Sequence, residues 1–122
     1  MFSAEINIEK NRLYLYLGNI AEKEDFSLAI AETERLVRFL KQGFTCISDL
    51  RGFTFRDSDH YFMQSIQETL WDAGVKLVIR VIDEKSIKTF CFEKKSLVWP
   101  GYQLETAFTI EEAEIILSRI GL

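Results

Sequence analysis

Polar and apolar positions change period several times along this chain, and each change marks an element. Residues 4–9 (Ala-Glu-Ile-Asn-Ile-Glu) and 13–17 (Leu-Tyr-Leu-Tyr-Leu) alternate with period two, the spacing of strands with one buried face. The break Lys10-Asn11-Arg12 between them suits a tight hairpin, so the fold opens on two antiparallel strands. From Asp25 the period lengthens. Phe26, Ala29, Ile30, Thr33, Leu36, Val37 and Leu40 recur at the i, i+3, i+4, i+7 spacing of one helical face. Glu22, Glu24 and Asp25 suit the positive end of that helix's dipole. Lys41 and Gly43 close it, glycine being the residue that tolerates a left-handed position after a helix.

Phe44 to Leu50 predicts a third strand, followed by a loop over 51–56 and a second helix capped by Asp57 or Ser58. That helix carries the stripe Phe62, Met63, Ile66, Leu70 and Ala73, and Gly74 stops it. Residues 75–82 are nearly continuous in branched apolar side chains, as a central strand covered on both faces requires. Residues 85–95 fit a short helix on Ile87, Phe90 and Cys91, although Thr-Phe-Cys-Phe also fits an extended run. Gln103 to Phe108 predicts a last strand. Thr109-Ile110-Glu111-Glu112 is a capping box, which precedes a final helix on Ala113, Ile116, Leu117 and Ile120. The predicted order is β-β-α-β-α-β-α-β-α: an α/β domain with a mixed sheet, in which crossovers make parallel neighbours and the hairpin makes an antiparallel edge.

A chain of 122 residues has room for one core, so residues 1–122 are expected to form a single domain. With 48% hydrophobic and 28% charged residues it has the composition of a globular protein that folds unaided. No stretch approaches the roughly 20 apolar residues that span a bilayer, so no membrane span is expected. Met1-Phe2-Ser3-Ala4-Glu5 lacks the basic start and apolar run of a secretory signal, which makes the cytoplasm the expected location. A net charge of −4 argues against general affinity for nucleic acid, which needs cations to displace counterions from phosphates. Cys46 and Cys91 lie far apart among apolar neighbours and read as buried free thiols.

Groups for catalysis are sparse. The single histidine, His60, has Asp57 and Asp59 nearby but lacks the repeated ligand spacing of a metal site, and reads as an exposed residue of a helix's first turn. The two common glycine-rich phosphate cradles are absent. No catalytic residue, metal ligand set or cofactor is therefore assigned, and the chain is expected not to be an enzyme. Lys85, Lys88, Phe90, Phe92, Lys94, Lys95 and Trp99 mix basic and aromatic character, as surfaces that meet anionic lipid or single-stranded nucleic acid do. The simpler reading is a short element with its aromatics inward and its lysines in water, the charge diluted by Glu84 and Glu93. Leu28, Phe39 and Trp71 fall off the main stripes of their helices. They hint at a second apolar face, which means either a wider core or, the reading favoured for a domain this small, a contact with a partner or a second copy in a homodimer.

The run Cys46-Ile47-Ser48-Asp49-Leu50-Arg51-Gly52-Phe53-Thr54-Phe55-Arg56-Asp57-Ser58 resembles the signature of STAS domains, the fold shared by bacterial anti-sigma-factor antagonists and the cytoplasmic tails of sulfate transporters. In that family a strand ending in Asp-Leu is followed, at this spacing, by Asp-Ser and a helix start. The opening hairpin with Gly18, the long first helix, the strand at 75–82 and a closing strand followed by Thr-Ile-Glu-Glu-Ala fall in the family's order. The resemblance implies a STAS-like fold with helices packed mainly on one face of the sheet, and a regulatory module that binds a protein partner. It places a phosphoacceptor role on Ser58. The partner surface it implies is the second helix's start with the loop before it, made of Asp49, Phe53, Phe55, Asp57, Asp59, His60 and Tyr61.

A helix N-terminus accommodates a phosphate through its free amides and partial positive charge. After Ser58 the family continues with Ser or Thr and Gly-Leu-Gly, whereas this chain has Asp59-His60-Tyr61. Asp59 beside Asp57 puts negative charge where a phosphate would sit. Asp57-Ser58 also reads as an ordinary helix cap. Three functional expectations follow: an interaction module outside any sigma-factor circuit, a phospho-switched antagonist acting through Ser58, and a small-molecule or lipid-binding domain. The last would use an apolar pocket between helices and sheet, rimmed by Lys94, Trp99 and Tyr102.

Overall fold

The opening alternation becomes two strands, β1 (Ser3–Asn7) and β2 (Arg12–Tyr16), paired antiparallel with Ser3 opposite Tyr16 and Asn7 opposite Arg12. The computed structural model describes residues 2–18, 23–53, 60–84, 86 and 103–121. The hairpin turns through Asn11 at φ 54°, a left-handed conformation that Asn adopts more readily than most side chains. The Asn11 amide also locks onto the segment before the third strand, donating to the Lys41 carbonyl at 3.1 Å and accepting from the Lys41 amide at 2.8 Å. Arg12, expected in the turn, instead opens β2 and is buried.

The remaining elements are α1 (Lys23–Val37), β3 (Thr45–Asp49), α2 (His60–Asp72), β4 (Leu77–Val81), β5 (Gln103–Ala107) and α3 (Ile110–Arg119). Strand order across the five-stranded sheet follows chain order, with β2 to β5 all parallel. The helix predicted over 85–95 lies outside the described residues apart from Ser86, as does Cys91. Among the described residues no helix is long and apolar enough to cross a membrane.

Side chains alternate between the two sheet faces. Leu13, Leu15, Cys46 and Val78 pack with α1 and α2, while Ile47, Leu77, Ile79, Val81 and Ala107 pack with α3. Two described helices therefore share one face and the third covers the other. The expectation of helices mainly on one face holds for α1 and α2 but not for α3. The physical reason lies in β4, whose Leu77, Ile79 and Val81 are as apolar as its Val78 and need a cover of their own; Ala113 and Leu117 of α3 supply it.

The helical stripes are buried as the periodicity requires: Phe26, Ala29, Thr33 and Leu36 on α1, and Phe62, Met63, Ile66 and Leu70 on α2. Phe26 and Phe62 stack across the two helices, with centroids 4.3 Å apart and ring planes 15° from parallel. Thr33 is a buried polar residue made tolerable by donating its hydroxyl to the Ala29 carbonyl at 2.7 Å. Leu28, Phe39 and Trp71 are exposed, in keeping with their off-stripe positions. Gly74, at φ 89°, ends α2. Thr109 caps α3, its hydroxyl accepting from the Glu112 amide at 3.0 Å. The return half of the box differs from expectation, since the Glu112 carboxylate reaches the Phe108 amide at 3.5 Å. Ile120 forms the C-cap and is exposed, so the buried stripe of α3 ends at Leu117.

Candidate functional site

In open parallel sheets, ligands and partners gather where the strands end in their carboxyl direction, because the crossover loops converge there. In this sheet the ladder runs right to that edge: Leu17 donates to Asp49, Leu50 to Val81 and Ile82 to Ala107, at 2.8–2.9 Å. The chain leaving β3 then turns sharply. The Phe53 amide donates to the Leu50 carbonyl at 3.0 Å across Arg51-Gly52, and Gly52 sits at φ 80°, the conformation a type II turn demands at its third position.

Four interactions fix that turn. Asp49 at the end of β3 accepts from the Arg51 amide at 3.1 Å and from its guanidinium at 3.0 and 2.8 Å, a two-pronged grip across two residues. Phe53 then drives its ring into the core, 1% exposed. Gly18 passes so close to the turn that a Cβ there would lie 2.0 Å from the Arg51 carbonyl oxygen. From the far side, Asp83 after β4 accepts from the Gly52 amide at 2.8 Å.

Asp83 is also tied to Ser86. It accepts from the Ser86 amide at 2.9 Å, and the buried Ser86 hydroxyl receives the Asp83 amide at 2.8 Å, the reciprocal pattern of a capping box. The Ser86 amide, then the Ser86 hydroxyl and the Gly52 amide, hold the Asp83 carboxyl below its usual range against the opposing effect of burial. It is therefore ionised at neutral pH.

Among the predicted surface residues, Asp49 is at the edge but engaged with Arg51, so its role is to position the loop. Phe53 is a correction: the turn at Arg51-Gly52 directs its ring into the core formed with α1 and α2, where it is buried and out of a partner's reach. His60 opens α2, and Tyr61 beside it is 77% exposed. Phe55, Asp57, Ser58 and Asp59 lie outside the described residues, as do Lys94, Trp99 and Tyr102. Cys46 is fully buried, and burial pushes its thiol well above the usual range, so it is no nucleophile in the folded state.

A second cluster lies where β2 and β3 begin. Glu114 of α3 accepts from Arg12 at 2.7 Å, from Tyr14 at 2.6 Å and from Lys10 at 3.2 Å, and Arg12 also donates to the Thr45 hydroxyl at 3.0 Å. Periodicity places Arg12 and Tyr14 on one face of β2, but only the register of α3 across the sheet brings Glu114 to them. Asp83 was equally hidden: its capping role is local and legible, its bond to Gly52 is not. No family model, curated protein or solved structure matches the chain.

Proposed function

We propose that this chain is a non-enzymatic, STAS-like module that binds a protein partner with the start of α2 and the loop that precedes it. The observation carrying this reading is the bracing of the turn at residues 50–53, from which that loop departs. The turn is clamped by Asp49, Phe53, Asp83 and the close approach of Gly18, while Tyr61 stands exposed at the start of α2. A turn fixed before a partner arrives loses less entropy on binding. The chain order of the sheet, its antiparallel edge and the Asp-Leu exit of β3 agree with the STAS resemblance of residues 46–58. Among the described residues, Asp49 is engaged by Arg51, and Asp83 by Ser86 and Gly52, which suits a scaffold better than an acid or base.

The test is capture from a native lysate with wild type, Tyr61→Ala and the distant control Lys76→Ala. Partners held by wild type and Lys76→Ala but lost by Tyr61→Ala are expected. Equal capture by all three would place the binding surface elsewhere. Phosphopeptide mapping of the protein from its own cells adds the remaining distinction, since a phosphate on Ser58 would make the same surface a switched one.

A further inference from the structure

At the opposite end of the sheet, a cleft of about 690 Å³ opens between the β1–β2 turn and α3. That volume lies within the range of small-molecule sites. Arg12 and Thr45 line it from the sheet, Lys10 from the turn, and Glu114, Ile115 and Ser118 from the helix.

Its donors and acceptors are unevenly spent. The two oxygens of Glu114 take three hydrogen bonds, leaving that carboxylate little to offer a ligand. Lys10 gives Glu114 one of the three protons of an ammonium group, and among the described residues its other two have no acceptor. Its side chain is half exposed at the mouth, held in place by Glu114. The Thr45 hydroxyl accepts from Arg12 and retains its own proton to donate, and Ser118 is exposed on the facing wall. Beside these donors lies an apolar side chain, Ile115, itself about half exposed. Glu9 on the rim forms no ion pair among the described residues.

We propose that this cleft binds a small amphipathic anion, with its carboxylate or phosphate head on Lys10 and the hydroxyls of Ser118 and Thr45 and its apolar part against Ile115. Arg12, paired with Glu114, orients the Thr45 hydroxyl by donating to it, and Glu114 is a positioning residue that fixes Lys10. The site is separate from the partner surface: the strands run ~16 Å from here to the loops at their far ends. Either proposal therefore stands or falls without the other.

Amide chemical shifts of the full chain, titrated with butyrate and separately with inorganic phosphate against sodium chloride at matched ionic strength, test it. Saturable shifts at Lys10, Ile115 and Ser118 are expected with both probes. Lys10→Ala should weaken both about tenfold or more, as loss of a charge-assisted contact does. Ile115→Ser should weaken butyrate alone, and Lys76→Ala should change nothing. Responses no different from chloride, or full affinity in Lys10→Ala, would overturn the site. Phosphate binding without butyrate binding would overturn its amphipathic character.

Discussion

Removing Glu114 is the sharpest test of how α3 is held to the sheet. Glu114→Ala strips the carboxylate from Arg12, whose side chain is 3% exposed, and from Tyr14. Taking one partner from a fully buried ion pair costs about 3–5 kcal/mol. Here Glu114 is 27% exposed and the cleft admits water to the site, which reduces that by roughly half, while the Tyr14 hydroxyl loses an acceptor worth about 0.5–1 kcal/mol. The better helix propensity of alanine returns a few tenths of a kcal/mol. The expected loss is about 2–3 kcal/mol, a fall of about 10 °C in Tm for a chain this size.

Urea denaturation at pH 7 measures it, with the m-value unchanged. Lys10→Ala breaks a bond to the same carboxylate, but Lys10 is 52% exposed, so that variant should lose only about 0.5 kcal/mol. Arg12→Met combined with Glu114→Leu should recover most of the Glu114→Ala loss, because no buried charge is left behind. Acidity gives a further check. Burial raises the Glu114 carboxyl, but bonds from Tyr14 and Lys10 and the charge of Arg12 outweigh it and hold it below the usual range. A depressed carboxylate contributes stability above its unfolded value and loses it as pH falls through the folded one. The gap between wild type and Glu114→Ala should therefore narrow below about pH 4. Equal losses from Glu114→Ala and Lys10→Ala, or a gap indifferent to pH, would refute the account.

Gly18→Ala forces a Cβ against the Arg51 carbonyl and should cost about 2 kcal/mol in urea. Gly43→Ala meets no atom within 4 Å and suffers only its φ of 88°, so about 1 kcal/mol is expected there; the reverse order would show that the two loops can part freely. The Tyr16 phenol is pushed up to about 12, first by burial and then by the charge and hydrogen bond of Glu5 at 3.2 Å. Its contribution to stability is complete below pH 10 and lost as pH rises from 10 to 12; in an ultraviolet titration Glu5→Gln should bring this tyrosine down, and an unmoved curve would contradict the pairing. Gln67 on α2 is 6% exposed, and its side-chain nitrogen has no hydrogen-bond partner among the described residues. Gln67→Met should gain about 1 kcal/mol in the same urea assay, and a loss would reveal that the amide is satisfied after all.

Elements were legible where one period governed a segment. The alternation of Leu13 and Leu15 on β2, the stripe from Phe26 to Leu36 and the continuous run in β4 each state which side is buried, and the structure follows them. What sequence periodicity does not state is the role of a polar residue beside a buried one. Arg12 and Asp83 look like a turn residue and a loop residue, and their meaning comes from partners more than 30 residues away, Glu114 and Gly52. Phe53 was misplaced for a related reason: an aromatic after a glycine turn is equally suited to a surface or a core until the turn's direction is known. The second face of the sheet was legible in Leu77, Ile79 and Val81, but the helix that covers it follows β5 and is separated from them by a crossover.

Strand order has a consequence for how the domain assembles. Each parallel pairing joins segments adjacent in the chain, so closing β2 on β3, β3 on β4 and β4 on β5 each gathers a loop of about thirty residues at a similar entropic cost. No strand has to thread between two others already paired. The sheet can therefore grow outward from any one βαβ unit, with β1 added at the edge by its short hairpin, which places this fold among the topologies of moderate sequence separation, slower to fold than a helical bundle and faster than an all-β barrel.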